Sequence, residues 1–337
     1  MVYIEAGLLT CLFIIGGICS WTDFKTTKIP NRYLLIAFCT GAIFHILLML
    51  VGGLAYYPFW LINMLIADVL AFLMYIAKIW AAGDAKLFMV LYYLTPPVLF
   101  EANDLSLGVI PYLYIFLPAF VWIIADSILR FCRREPYLKL PTIHVKQRLL
   151  GMFKVMVEST AMYCIVTAVV PELTSNNEML LAVLMIIYAY FCAGIGFMQK
   201  WYVVTGHALV VIAAYITGLW RFSMPDWRSY VLLITSILLQ RFTTAYNYQL
   251  IPVSNVKKGM IPSAQTVLSF TVSRVHNLPT DASEELSAAI TETEVVAIRR
   301  WESSANGAHK IWIVRKVAFA FMIFFGFSAW IVVRLVG

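Results

Sequence analysis

The sequence has 337 residues, of which 62% are hydrophobic and only 13% are charged, against about 25% charged residues in an ordinary soluble domain. Its mean hydropathy is +0.83, and a soluble domain of this length cannot bury so much apolar surface. The formal net charge of +7 is typical of Lys and Arg held in cytoplasmic loops. The composition predicts a polytopic membrane protein and excludes, for the chain as a whole, a disordered chain, a disulfide scaffold and a nucleic-acid-binding domain.

Ten apolar stretches have about the length that a membrane-spanning helix requires, roughly 20 residues. We therefore predict an all-α polytopic membrane protein with about ten transmembrane helices, and a small α+β cytoplasmic domain before the last helix. The predicted spans are residues 4–22, 33–52, 58–77, 84–100, 109–129, 153–171, 179–199, 202–220, 229–245 and 313–335.

Charge predicts the orientation of these spans. Most of the 25 Lys and Arg residues fall in alternate loops, whereas the loops between them are acidic. Because basic loops stay on the cytoplasmic side, the pattern predicts a multi-pass protein of the cell membrane with both termini outside. The predicted segments are a membrane core at 1–130, a basic cytoplasmic loop at 131–152, additional transmembrane helices at 153–245, a small cytoplasmic domain at 246–312 and the last transmembrane helix at 313–337.

Two polar segments lie on the predicted inner side. The basic loop is interpreted as topology-setting charge that attracts anionic membrane lipid, with docking of a partner protein as the alternative. In the small domain, TVLSFTVSRV at 266–275 alternates like a strand. The segment at 282–301 reads as an amphipathic helix with Ser283 as its N-cap.

Ionisable residues at membrane depth are costly, and each one is a functional candidate. Asp23 ends the first predicted span and Asp84 opens the fourth, both at the predicted cytoplasmic boundary, so two helices can bring two carboxyl groups together. The acids weighed are Asp23, Asp68, Asp84, Asp126 and Glu158.

Two facing carboxyl groups can share one proton, because their mutual repulsion raises one pKa and lowers the other. One group then acts as a base and the other as an acid, which can activate water against a peptide carbonyl and protonate the leaving amine. Gly83, directly before Asp84, lets the backbone loosen and lets a substrate main chain approach closely. The alternative is that Asp23 and Asp84 only cap helices or pair with neighbouring lysines.

The local sequence around both aspartates is distinctive. It reads D-F-K-T-T-K-I-P-N at 23–31 and A-A-G-D-A-K-L at 81–87. It closely resembles the two motifs of the type IV prepilin peptidases, intramembrane aspartyl proteases of the GxGD class. Their archaeal members include the preflagellin (prearchaellin) peptidases, and the likeness favours an archaeal source. It covers residues 1 to about 130 and implies that Asp23 and Asp84 are the catalytic pair. It also implies supporting roles for the motif positions Lys28, Pro30, Asn31, Gly83 and Lys86.

The resemblance also implies substrates and shows departures. Family substrates are prepilin or prearchaellin-like precursors with type III signal peptides, in which a short basic leader precedes an apolar helix and cleavage falls between them at the cytoplasmic face. Asp126 is a candidate for contact with that leader, and pairing with Arg130 is the favoured alternative. Ala81 replaces the first Gly of the second motif. The chain lacks the four-cysteine domain that accompanies N-methyltransferase activity, and no metal site, cofactor or nucleic-acid partner is expected.

Two other functions stay open on the sequence alone. Asp68 and Glu158 give slight support to an ion-coupled transporter with membrane acids as proton relays, although we interpret both as buried polar contacts with other helices. Ala81 and the additional helices leave room for an inactive family member that acts as an assembly scaffold.

Overall fold

The computed structural model describes residues 1–76, 79–100, 105–139, 145–169, 178–198, 200–218, 227–284, 288–315 and 318–336 of the chain. Part of the predicted basic loop, residues 140–144, lies outside the described residues. So does part of the predicted amphipathic helix, residues 285–287.

Helices dominate the described residues, as the apolar composition predicts. In chain order they are α1 (Val2–Thr26), α2 (Asn31–Gly52), α3 (Tyr57–Ile76), α4 (Ala82–Tyr93), α5 (Ile110–Cys132), α6 (Val145–Val169), α7 (Glu178–Gly194), α8 (Trp201–Ile216), α9 (Trp227–Tyr246), α10 (Ala264–Thr271), α11 (Glu292–Glu302) and α12 (Phe319–Val336). Short 3-10 turns occupy Pro97–Leu99, Leu105–Gly108 and Val253–Asn255.

Six of the described helices are long and apolar enough to cross a membrane: α1, α2, α3, α5, the Leu149–Val169 part of α6, and α12. The protein is therefore a multi-pass membrane protein, but the predicted count of about ten spans is not confirmed. Helices do occupy the other four predicted positions. Of these, α4, α7 and α8 have 12, 17 and 16 residues, and α9 carries Arg228 and Arg241.

Two predicted spans differ in extent from the helices found. The fourth was expected to run to residue 100, but α4 ends at Tyr93 and the chain continues through Pro96 and Pro97 into a 3-10 turn, because proline cannot continue a helix interior. The last was expected to begin at residue 313. Ile313 instead pairs within a sheet, and α12 begins six residues later at Phe319.

The chain divides into two compact units. The first comprises Met1–Phe120, Ile143–Ser236 and Ala318–Gly337. Its main core joins α1 to α5 with α12, and large aromatic side chains fill it, among them Trp80, Phe88, Tyr92, Tyr112 and Trp330. Small residues let the helices approach closely, as is usual within membranes.

The second unit comprises Val121–Thr142 and Ile237–Val317 and contains a three-stranded antiparallel sheet. Strand β1 (Tyr248–Pro252) and strand β2 (Ile261–Pro262) both pair with the central strand β3 (Lys310–Val314), so the order is β1-β3-β2. Helices α10 and α11 pack onto this sheet through Phe270, Ile298 and Trp301, which form a small core of their own with it.

The elements within this second unit correct two predictions. The TVLSF segment, predicted as a strand, forms α10, because Ser263 caps that helix by accepting from the Thr266 N–H. The amphipathic helix begins at Glu292 and not near Ser283. Thr291 is its N-cap, and Glu294 completes the reciprocal hydrogen bonds of a capping box.

Candidate active site

Asp23 lies in the last turn of α1 and is 8% exposed. Its Oδ2 accepts a hydrogen bond of 3.2 Å from the main-chain N–H of Ala320, in the first turn of α12. The helix ends directly beyond it, where Thr27 adopts a left-handed conformation (φ 53°) and its N–H bonds the carbonyl of Asp23. The end of α1 therefore buries this carboxyl group against the start of another helix.

Asp84 is the third residue of α4 and is 9% exposed. Its Oδ2 accepts from the N–H of Ala81 at 3.3 Å, so the carboxyl group caps its own helix. An acid in the first turn is favourable, because the N–H groups there lack intrahelical acceptors and the helix dipole is positive at that end. Ala81 has φ −71° and ψ 157°, a conformation that a residue with a Cβ adopts without strain.

The two aspartates lie on helices of the same core. Leu12 and Cys19 of α1 and Leu87 of α4 belong to one buried cluster. The charge of Asp23 lies within electrostatic reach of the Asp84 carboxyl group. Two carboxyl groups that come close together can share one proton, because their mutual repulsion disfavours ionisation of both.

Contacts between the two motifs fix this arrangement from the outside. Lys86 Nζ donates to Asn31 Oδ1 at 3.4 Å, joining α4 to the first residue of α2. A Cβ built on Gly83 would lie 3.4 Å from Ile29 Cβ, which is ordinary van der Waals contact. The close packing of Gly83 therefore brings the turn before α2 against the start of α4.

The other two supporting positions have simpler surroundings. Pro30 is the N-cap residue of α2, with φ −69° and ψ 124°, so its ring fixes the turn that leads into that helix. Lys28 is exposed, and its ammonium group forms no ion pair with the described residues. Four of the supporting positions therefore lie in the turn before α2 or at the starts of α2 and α4: Pro30, Asn31, Gly83 and Lys86. The fifth, Lys28, lies at the surface.

Sequence reasoning missed three groups beside the aspartates. Ala320 supplies its N–H to Asp23, and Ser20 Oγ donates to the carbonyl of Ala320 at 3.2 Å. Trp80, four residues before Asp84, lies with its ring centroid 6.2 Å from that of Phe319. The spacing of Ser20 one turn before Asp23 is a signal that points to the same helix face, but nothing local indicates a partner about 300 residues away.

Asp126 has two cationic partners within the second unit. Its Oδ2 accepts from Arg130 Nε at 3.0 Å and from an Arg315 guanidinium nitrogen at 2.8 Å. The alternative that pairs Asp126 with Arg130 therefore agrees with the contact observed, and Arg315 adds a second partner that the sequence did not suggest. Such charge-assisted bonds are among the stronger hydrogen bonds in proteins.

The remaining two acids, Asp68 and Glu158, lie on α3 and α6. The carboxylate of Glu158 lies 3.7 Å from Lys154 Nζ, one turn earlier in the same helix, so this contact is within α6 and not with another helix. Asp68 Oδ1 is buried and has no hydrogen-bond partner among the described residues. The sequence analysis interprets Asp68 and Glu158 as polar contacts with other helices. Neither of these two observations is such a contact.

Comparison with known proteins agrees with the motif region. A family model described as the type IV leader peptidase family matches residues 10–128, a segment that contains Asp23, Asp84 and all five supporting positions. No curated protein and no solved structure matches the chain. The match over residues 10–128, which carry both aspartate motifs, supports a resemblance of this segment to the type IV leader peptidase family.

Proposed function

We propose that this protein is an intramembrane aspartyl endopeptidase, with Asp23 and Asp84 as its catalytic pair. The observation that supports the proposal is the burial of two carboxyl groups, one from each motif, within electrostatic reach of each other and within the segment that matches the leader peptidase family. The match to that family over residues 10–128 indicates a peptidase that acts on precursor proteins. The aspartyl mechanism and the nature of the leader are our inference.

The chemistry follows from one proton held by two carboxyl groups. The ionised carboxyl group takes a proton from water, and the water oxygen attacks the carbonyl carbon of the scissile peptide bond. The protonated carboxyl group donates its proton to the carbonyl oxygen. In the collapse of the tetrahedral intermediate, the first carboxyl group gives the proton it took from water to the leaving nitrogen and the C–N bond breaks, while the second carboxyl group takes back a proton from a hydroxyl group of the intermediate. No further group is required to balance these steps.

We further propose that the site faces the cytoplasm and removes the short basic leader of prepilin or prearchaellin-like precursors. Asp23 lies in the last turn of α1 and Asp84 in the first turn of α4, so both carboxyl groups belong near one membrane boundary. Lys25 and Lys28 follow Asp23 directly, which favours the cytoplasmic side. A substrate with its cleavage site between a basic leader and an apolar helix would present that bond at this depth.

Asp126 stays a candidate for contact with the leader. Because its carboxylate already accepts from Arg130 and Arg315, a basic leader would have to compete with two guanidinium groups. A substrate contact at this position therefore requires one of the two arginines to move.

Cleavage of a leader-bearing precursor in membranes tests the proposal. We expect Asp23→Asn and Asp84→Asn each to lower the rate by at least about 10²-fold, since acid–base groups contribute about 10²–10⁴. Both substitutions keep the size of the side chain. Asp281→Asn, at an exposed position of the second unit, is the matched control and should cleave at the wild-type rate.

The outcomes separate the alternatives. Wild-type cleavage by either aspartate variant would refute the two-carboxyl mechanism. Absence of cleavage by the folded wild-type protein, with several basic-leader precursors, would favour an inactive scaffold. Thermal unfolding in detergent shows whether each variant keeps its fold.

A further inference from the structure

The last helix, α12, lies far outside the segment that matches the leader peptidase family, yet its first turn contacts Asp23 of the first motif and Trp80, the residue directly before the second motif. The N–H of Ala320 donates to Asp23 Oδ2 at 3.2 Å, and Ser20 Oγ donates to the carbonyl of the same residue. The ring of Phe319 packs against Trp80, which precedes Asp84 by four residues. One helical turn therefore links the two halves of the candidate site.

Close contacts hold α12 against the core along its length. A Cβ on Gly326 would lie 2.4 Å from the carbonyl oxygen of Tyr114 in α5, and one on Gly16 would lie 2.2 Å from the ring of Phe324. At the opposite end, Arg334 donates to the carbonyl of Leu99 at 2.9 Å. The helix can therefore neither slide nor rotate without breaking contacts at both ends.

The first turn of a helix suits a carboxylate. Its N–H groups have no acceptors within the helix, and the positive end of the dipole stabilises negative charge. Asp23, on a different helix, supplies the acceptor that the start of α12 needs. In return, a hydrogen bond from a fixed main-chain donor limits the rotation of the Asp23 carboxyl group.

We propose that the first turn of α12 is part of the catalytic machinery, in which the Ala320 N–H holds the Asp23 carboxyl group in its working orientation and Ser20 fixes that turn. This inference rests on the proposed peptidase function. Ala320 and Ser20 are positioning residues, because they act through Asp23 and do not touch the substrate. The two motifs alone would then be insufficient for activity without the last helix.

A proline substitution isolates the hydrogen bond. Ala320→Pro removes this one N–H, and the first turn of a helix tolerates proline. Loss of a hydrogen bond to a charged group should lower kcat about ten- to a hundredfold and leave KM unchanged, since the substrate contacts persist. Ala318→Pro, two residues earlier, keeps the Ala320 N–H and is the matched control; it should cleave at the wild-type rate.

Ser20 provides a second and milder variant. Ser20→Ala removes the donor to the Ala320 carbonyl and should lower kcat about threefold to tenfold, as expected of a neutral hydrogen bond. Ser20→Thr keeps the hydroxyl group and should recover most of that loss. Thr10→Ala removes a hydroxyl group from the same helix that bonds only the Ala6 carbonyl in α1, and it should leave kcat unchanged.

The results distinguish this inference from the proposed function. If Asp23→Asn and Asp84→Asn abolish cleavage while Ala320→Pro and Ser20→Ala keep the wild-type kcat, the role of α12 is refuted and the peptidase stands. A rise in KM at constant kcat would also refute positioning. If Ala320→Pro fails to fold, the kcat of Ser20→Ala and its recovery in Ser20→Thr decide the matter.

Discussion

Two regions of the first unit hold their buried acids in different ways. In the aspartate-bearing core, Asp23 and Asp84 accept hydrogen bonds from main-chain N–H groups at helix starts. In the additional helices α6 to α9, the carboxylate of Glu158 faces a lysine one turn away, Lys154. Both kinds of partner favour the charged carboxylate, but a main-chain N–H is fixed by its helix, whereas a lysine side chain can move.

Polar contacts between helices occur in both regions. In the additional helices, Thr160 bonds Tyr230 at 2.6 Å and Tyr188 bonds His207 at 2.6 Å. In the core, a ring nitrogen of His45 lies 3.2 Å from the Tyr57 hydroxyl group, and Tyr112 donates to the carbonyl of Ala67. The two regions therefore differ in how they hold their acids and not in how polar side chains join their helices.

The largest expected effect is the difference in cleavage rate between variants of an acid in the core and an acid in the additional helices. Asp84→Asn should lower the cleavage rate by at least about 10²-fold, whereas Glu158→Gln, a change of the same chemical kind, should leave it within about threefold. The measurement is initial rate in membranes. A loss with Glu158→Gln as large as that with Asp84→Asn would erase the distinction between the two regions and revive the proton-relay interpretation.

Glycine substitutions compare the packing of the two regions. Gly326→Ala drives a Cβ into the main chain of α5 and should lower the free energy of unfolding by about 1–3 kcal/mol, as overpacking does. Gly206→Ala in α8, where a Cβ meets nothing within 4 Å, should raise it by about 0.5–1 kcal/mol. Unfolding in mixed detergent measures both; equal effects would contradict the closer packing of the core.

A hydrogen bond between side chains of α6 and α9 should contribute less. Thr160→Val and Tyr230→Phe each remove one partner of the 2.6 Å contact. A double-mutant cycle should give a coupling of about 0.6 kcal/mol, the average for such bonds in membranes. A coupling near zero would show that this bond does not join the additional helices.

The smallest effect is expected at the exposed contact between the motifs. Lys86→Met removes the 3.4 Å donor to Asn31, and exposed contacts of this kind contribute little. The cleavage rate should change by less than about threefold. A loss of a hundredfold would instead place the Lys86 ammonium group in the chemistry and move it out of the supporting set.

Local sequence patterns predicted the features that depend on residues close together in the chain. The two motifs identified the segment that matches the family, and hydropathy located the helices that are long and apolar enough to cross a membrane. The count of about ten spans is not confirmed, because α4, α7 and α8 have only 12, 17 and 16 residues and hydropathy does not show where Pro96 or a turn ends a helix. The alternation of TVLSF suggested a strand, yet the Ser263 cap and the burial of Val267 and Phe270 one turn apart favour α10.

Distant contacts were beyond the reach of sequence patterns. Ala320 carries no reactive group and lies 297 positions after Asp23 in the chain, so nothing in its surroundings indicates a role. The pairing of Asp126 with Arg315 spans 189 positions and depends on the sheet that places the end of β3. Only the tertiary structure shows that Ala320 and Arg315 are these partners, because a main-chain donor or a single arginine has no recognisable sequence motif.

Cross-linking tests most directly whether the two aspartates share one site. In a background in which the six cysteines, none of them in a disulfide, are replaced, Asp23→Cys with Asp84→Cys should be joined by a short bifunctional thiol reagent in native membranes. Asp23→Cys with Leu50→Cys is the control, since Leu50 lies 19 residues along α2 from Asn31, about 28 Å at 1.5 Å per residue. Efficient joining of the first pair alone is the predicted result; its absence while both thiols react with a single-ended reagent would contradict the shared site.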